Sequence, residues 1–392
     1  MSAPRKLRLG VAGLGRAFSL MLPTLRAHPS ITLVAAADPR TEARERFAAE
    51  FGATTFADVE ALCDDAAIDA LYVATPHQHH RAHALAALAR GRHVLVEKPL
   101  ATTLDDAEAI AQAAERAGVH VVVGHSHAFD APVARARAII ASGELGRVRM
   151  VTALNFTDFL YRPRRPEELD TARGGGVVFS QAAHQVDIVR LLGGGLARSV
   201  RAITGAWDAE RPTEGAYTAQ LVFEDGAFAS LTYGGYGHYD ADELMGWTSE
   251  TGFAKDPQRH GAMRRALQAG GLAEADAKNA RNYGGSAYRG PEGTPWHEHF
   301  GFTLASCERG DVRPMPDGVG VWGDLERRFE PLPKPGIPRR EVIDALCDAA
   351  FDGKPPLHGA RWGVATLEVC VAMLQSAREG REVSLSRQVA AP

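Results

Sequence analysis

Gly13-Leu14-Gly15 closes an apolar run from Lys6 to Ala12, and Asp38 closes the next, from Ile31 to Ala37. Glycines and acid in this order have the types and spacing that a dinucleotide site needs. Gly13 permits a tight turn, and Gly15 lets backbone N–H groups approach a pyrophosphate at a helix N-terminus. Asp38 can accept hydrogen bonds from the adenosine ribose. Its charge repels a 2′-phosphate, so NAD is expected rather than NADP, although Arg40 offers such a phosphate a cation. Phe18 replaces the usual third glycine, so helix and strand must pack differently here. The plain alternative is a flavodoxin-like βα turn.

A second chemistry rests on Lys98. Of 44 basic side chains only six are lysines: Lys6, Lys98, Lys255, Lys278, Lys334 and Lys354. A coding bias explains the scarcity in general. Lys98 stands in Glu97-Lys98-Pro99, directly after the strand-like run from His93 to Val96. Strand exits line the ligand crevice of open α/β sheets. A buried lysine beside the cationic ring of an oxidised nicotinamide loses its proton more easily. It can then act as a base, or donate to a developing oxyanion. Arginine cannot yield a proton in this way. The alternative is a surface lysine paired with Glu97, but the following proline restricts Lys98 and argues for a built position.

The elements that must hold these groups alternate. Helical spacing runs over Arg16 to Ala27, Arg40 to Glu50, Asp58 to Asp64 and Leu104 to Ala117. Apolar strands are expected at Ala70 to Ala74, His93 to Val96 and Val119 to Gly124. The exit Thr75-Pro76-His77-Gln78-His79-His80 leads into a helix reaching Arg90. With Glu97-Lys98-Pro99 and the tail His125-Ser126-His127, it is expected to face one cleft. The histidines lack the thiols or carboxylates at ligand spacing that zinc requires, so no metal is expected. The candidate cofactor-binding residues are Gly13, Leu14, Gly15, Arg16, Asp38, Arg40, Thr75, Pro76, His80, Glu97 and Lys98.

Composition bounds the rest. The 392 residues exceed the usual domain size, and 45% hydrophobic with 23% charged residues is ordinary for a globular chain. A net charge of −4 offers no basic excess for nucleic acid. Cys63, Cys307, Cys347 and Cys370 are too scattered for a disulfide framework or zinc site. No run suits a membrane span or signal peptide, so a cytoplasmic protein is expected. Two domains are expected, 1–126 and 127–392, the second with an insertion around 238–338.

Together, Gly13-Leu14-Gly15-Arg16, Asp38-Pro39, Ala74-Thr75-Pro76 and Val96-Glu97-Lys98-Pro99-Leu100 resemble the Gfo/Idh/MocA oxidoreductases. Gly174-Gly175-Gly176, followed by Ser180, His184 and Asp187, is similar to that family's second signature. The resemblance implies an N-terminal Rossmann domain and a C-terminal α/β domain with an open, mostly antiparallel sheet. It implies NAD(P)-dependent oxidation of a secondary alcohol, often on a sugar or cyclitol. Lys98 matches the family's catalytic lysine, and His184 the histidine that acts on the substrate hydroxyl. The family's acid four residues upstream is here Ser180, which cannot be a base at neutral pH. Proton transfer then falls to His184 or Lys98, with Asp187, one helical turn on, as an orienting carboxylate or a merely structural one.

After Gly124 the pattern changes. A helix is expected over Asp130 to Ser142 and a strand over Val148 to Phe156, and a helix from Ser180 to Leu192 carries His184. Strands are expected at Val200 to Trp207, Ala216 to Phe223 and Ala227 to Tyr233, with a hairpin at Asp225-Gly226. Between 238 and 338, helical stretches at Gly261 to Ala269 and Ala273 to Asn279 alternate with loops. Strands follow at Phe300 to Cys307 and Val319 to Trp322, and helices at 342–351 and 360–378. Arg162, Arg164, Arg165 and Arg173 precede the catalytic helix and suit bidentate recognition of a carboxylate. A solvated loop balanced by Glu167, Glu168 and Asp170 is the alternative. Within the family this loop, Ser180 and the long insertion look like the phthalate cis-dihydrodiol dehydrogenases. That likeness implies oxidation of phthalate 4,5-cis-dihydrodiol to 4,5-dihydroxyphthalate in aromatic catabolism, with Arg162, Arg164, Arg165, Arg173, Ser180 and His184 around the substrate. A sugar or inositol dehydrogenase and a catalytically silent NAD-binding sensor are the alternatives. The family likeness also implies a homo-oligomer, a dimer or tetramer.

Overall fold

A computed structural model of the chain describes residues 5–64, 67–290 and 293–391. They divide into two compact units. The first takes 1–125, 273–292 and 337–367; the second takes 126–272, 293–336 and 368–392. Ser126 therefore opens the second unit, and two later segments return to the first.

In the first unit, strands and helices alternate as the apolar runs require. They are β1 (Leu7–Ala12), α1 (Arg16–Ala27), β2 (Ile31–Ala37), α2 (Thr41–Phe51), β3 (Thr54–Phe56), α3 (Val59–Asp64), β4 (Ala70–Val73), α4 (His80–Leu88), β5 (His93–Val96), α5 (Leu104–Ala117) and β6 (Val121–Val123). The six strands are parallel in the order β3-β2-β1-β4-β5-β6. This doubly wound order reverses between β1 and β4, and ligands bind at such switch points, beyond the strands' carboxyl ends. β4 and β6 are wholly buried and β5 nearly so, as strands covered on both faces must be. The exits of β1, β4 and β5 are neighbours, so Gly13, Thr75 and Lys98 leave the same edge of the sheet. β3 escapes sequence analysis because Thr54-Thr55-Phe56 is a three-residue edge strand with no apolar run.

The second unit begins with α6 (Ala131–Ala141), β7 (Val148–Phe156) and α7 (Ala183–Leu192). Eight further strands follow: β8 (Ala197–Gly205), β9 (Ala216–Phe223), β10 (Phe228–Gly234), β11 (Phe302–Cys307), β12 (Gly310–Met315), β13 (Gly318–Gly323), β14 (Arg327–Pro331) and β15 (Val383–Ser384). They join β7 in one nine-stranded sheet, antiparallel throughout except where β10 runs parallel to β7. Strand β12, rich in glycine, proline and charge, and the exposed β14 show no clean alternation, so pattern alone does not find them. The helix expected over Ser180 to Leu192 starts differently. A wider π-type turn spans Val178–Ala182, and regular α-helix begins at Ala183. The buried Glu214 carboxylate accepts the Val178 N–H at 3.1 Å, anchoring the turn before the helix begins. A Cβ on Gly176, whose φ is +79°, would collide with that carboxylate. Among the described residues, no helix is long and apolar enough to cross a membrane.

Candidate active site

The loop after β1 is shaped for a dinucleotide. Gly13 has φ +91°, and a Cβ there would lie 2.9 Å from the Ala74 carbonyl oxygen, so only glycine fits. Above Gly15 a Cβ would meet nothing within 4 Å, which leaves the backbone at the start of α1 open to a phosphate. Leu14 N–H donates to Asp38 Oδ2 at 2.8 Å, tying the loop to the end of β2. Arg16 is exposed on the first turn of α1, and Pro76 is exposed after β4. These features fit a bound NAD: Gly13 to Arg16 would hold its pyrophosphate, and Asp38 its adenosine ribose.

At the exits of β4 and β5 the side chains divide. Glu97 turns inward, where its Oε1 accepts the Tyr72 hydroxyl at 2.6 Å and burial raises its pKa. Lys98, the next residue, is only partly buried. His80 is fully buried between two carbonyls, with Nδ1 2.8 Å from Pro99 O and Nε2 3.0 Å from Thr75 O. It braces one strand exit against the other. Thr75 Oγ1 lies 3.0 Å from His83 Nδ1.

Burial pushes His80 and His83 each down to about 4. Protons therefore bind the unfolded chain first. The stability that these histidines lend is complete above pH ~6.5 and is lost as the pH falls toward 4. Thermal unfolding midpoints should drop across that window, and His80→Gln should flatten the drop. Equal slopes for both proteins would contradict this account.

The second unit builds its own cluster. His184, on α7, is buried with its ring centroid 4.8 Å from both His127 and Phe300. Asp130 Oδ2 lies 2.8 Å from His127 Nδ1, which orients that ring. Potential ligand atoms of His127, Asp130 and Glu298 lie within 4.8 Å of one another, and the His127–Asp130 contact has hydrogen-bond length. Asp187 is buried and accepts the Ser126 hydroxyl. Ser180 is partly buried on the turn before α7. Tyr233 stacks 6.0 Å from Phe300 and shares a 2.8 Å hydrogen bond with Thr157.

The arginines separate as well. Arg162 donates from Nε to Asp158 at 3.1 Å and lies 3.6 Å from Glu250, with 39% of its side chain exposed. Burial opposes its charge, but Glu250 and Asp158 outweigh that and raise its pKa. Glu250 in turn accepts from Asn155 Nδ2 at 3.0 Å; burial disfavours its charge, and Arg162 and His127 more than compensate. Arg164 lies over the Phe159 ring at 3.5 Å and donates to the Phe159 carbonyl, and burial lowers its pKa to about 10. Arg165 gives its backbone N–H to Glu168 at 2.8 Å. Arg173 is exposed. His127, Asp130, Glu250 and Asn155 were not among the expected site residues. His127 stood in a strand-exit tail, whereas Glu250 carried no local signal.

Known proteins share this architecture. Residues 7–125 match the model of an oxidoreductase family with an NAD-binding Rossmann fold, and 133–246 match the GFO/IDH/MocA C-terminal domain. Over 380 residues, 95% of either chain, the sequence is 45% identical to 1-carboxy-3-chloro-3,4-dihydroxycyclohexa-1,5-diene dehydrogenase of Comamonas testosteroni. The chain belongs to the GFO/IDH/MocA oxidoreductase family. Residues 7–125 of its first unit are that family's NAD-binding domain, and the larger sheet of its second unit is open and mostly antiparallel. A solved structure from Bordetella bronchiseptica RB50, described as a dehydrogenase, is 44% identical, with TM-score 0.91 over 97% of this chain and all of its own. The WlbA dehydrogenase of Bordetella pertussis, solved with NADH and UDP-GlcNAcA, shares the fold at 23% identity. Its TM-score is 0.69 over 97% of this chain and 99% of its own.

Proposed function

We propose that this GFO/IDH/MocA oxidoreductase dehydrogenates a carboxylated cis-dihydrodiol to the corresponding catechol. The specific form proposed is phthalate 4,5-cis-dihydrodiol going to 4,5-dihydroxyphthalate. One observation carries the reading: 45% identity, spread over 95% of both chains, to a dehydrogenase named for a carboxylated dihydroxycyclohexadiene. The second unit supports it with Arg162, a half-exposed cation in the same cluster as Glu250, His127 and Tyr233.

NAD⁺, when bound, supplies the hydride acceptor. The protein's own part is to take the proton of the hydroxyl being oxidised, and Lys98 and His184 are the two groups proposed for it. Arg162 and Arg164 are proposed to receive carboxylate. The ketone formed from a dihydrodiol becomes aromatic on enolisation, so the reaction runs downhill after hydride loss. A weaker base than the acid replaced by Ser180 then suffices.

The test is a substrate panel with NAD⁺, followed by NADH absorbance. Dihydrodiols bearing one or two ring carboxylates should turn over, and uncarboxylated dihydrodiols, sugars and inositols should be far poorer. Preference for a sugar would sink the assignment. Tight NAD⁺ binding with no turnover of any panel member would instead favour a sensor.

A further inference from the structure

Residues 280–288, inside the long insertion, pack within the NAD-binding unit. Tyr283 is fully buried there. Its ring meets Phe18 edge-on at 5.2 Å and lies 6.5 Å from Phe47. Its hydroxyl donates to Glu50 at 2.8 Å, and its N–H donates to Ser19 Oγ at 3.2 Å. Arg46 lies over both Tyr283 and Tyr288, 4.9 Å from each ring. Phe18, in place of the third glycine, is thus the seat for a segment that begins more than 250 residues later.

The same segment reaches Arg40. That guanidinium donates from Nε to Asp38 Oδ1 at 3.0 Å and from Nη2 to Asp38 Oδ2 at 3.2 Å. Nη2 also reaches Leu14 O at 2.8 Å, and Nη1 reaches Tyr283 O at 3.2 Å. All three nitrogens are engaged, and 20% of the side chain is exposed. A 2′-phosphate placed beside Asp38 would meet its carboxylate, and Arg40, the cation bonded to that carboxylate, is spent on the protein, as is Arg44, whose Nη1 donates to the Asp38 carbonyl at 2.8 Å.

We infer that residues 280–288 are a latch of the cofactor site, which sets its preference for NAD over NADP by pinning Arg40 between Asp38 and the Tyr283 carbonyl. The latch is a positioning element and touches no reacting atom. It rests on the NAD-binding fold and not on the proposed substrate.

Gly284 offers the way in. Its φ is +81°, and a Cβ would lie 2.7 Å from Ala43 Cα on α2, so Gly284→Val must push the latch away. NADH and NADPH binding to the full chain is measured by calorimetry, alongside thermal unfolding. The Kd for NADPH should tighten about tenfold in Gly284→Val, as the Nη1 group released from the Tyr283 carbonyl gains a charged hydrogen bond to phosphate, while that for NADH tightens no more than twofold. The gain should vanish in Gly284→Val combined with Arg40→Ala. Tyr283→Leu, which keeps apolar bulk and loses the Glu50 bond, should move the NADH-to-NADPH ratio the same way and serves if the valine variant does not fold. An unchanged ratio in a folded variant, or equal weakening of both cofactors, overturns the latch. So does a gain that survives Arg40→Ala. Failure of the substrate panel leaves these binding results untouched.

Discussion

Lys98→Ala should lower kcat by about a thousandfold while leaving the Kd for NADH within a few-fold of the parent, since a positioned proton-transfer group contributes roughly 10²–10⁴. The residue leaves the sheet at the end of β5, beside the exit of β4. Its neighbour Glu97 accepts the Tyr72 hydroxyl inside the unit, and the Lys98 charge and backbone N–H also act on that carboxylate. Lys98→Arg should not restore the rate: guanidinium keeps the charge but does not yield its proton at any workable pH. A substrate deuterated at the carbinol carbon separates the cases. Loss of proton transfer leaves kcat limited by chemistry and sensitive to the isotope, whereas misfolding lowers the active fraction and changes no isotope effect. Turnover of Lys98→Ala within tenfold of the parent would remove the lysine from the mechanism.

Arg162→Gln should raise KM for a carboxylated dihydrodiol by about 10–100-fold with a smaller change in kcat. A charged hydrogen bond is worth roughly 1.5–3 kcal/mol, and both ground and transition states make this one. The substitution also leaves Asp158 and Glu250 without their shared cation, so some thermal stability should go with it. The control lies in the substrate. An uncarboxylated dihydrodiol should lose nothing further on Arg162→Gln, and Arg162→Lys should recover part of the affinity but not the bidentate geometry. Equal losses on both substrates would assign Arg162 to structure alone.

Much of the first unit was legible because parallel strands buried on both faces leave apolar runs. The glycines, Asp38 and Lys98 fall at the ends of those runs. β3 was not legible, because an edge strand of two threonines and a phenylalanine has no such run. In the second unit β7 and β9 alternate and were found at their observed bounds, whereas β12 sets a proline, Pro314, at one of its inward positions and β14 is exposed almost throughout. The site was half legible. Arg162 and His184 are signalled by a cluster and a motif, but His127, Asn155 and Glu250 come together only through folding. Phe18 shows the limit most clearly. Its departure from glycine was visible, but its partner, Tyr283, was not.

The return of 273–292 and 337–367 to the first unit has a consequence for how the protein is made. The first 125 residues emerge from the ribosome long before the segments that complete their unit. Until Tyr283 arrives, Phe18 and Phe47 lack the ring that packs edge-on against both, and His28 and Thr24 wait for Asp344 and Pro338. Contacts so far apart in sequence carry a large loop-closure cost and form late. The nucleotide-binding unit, most of which precedes the second unit along the chain, is therefore finished only after most of that second unit has been synthesised, and a nascent chain halted after residue 125 exposes an unfinished apolar surface of the kind that chaperones bind.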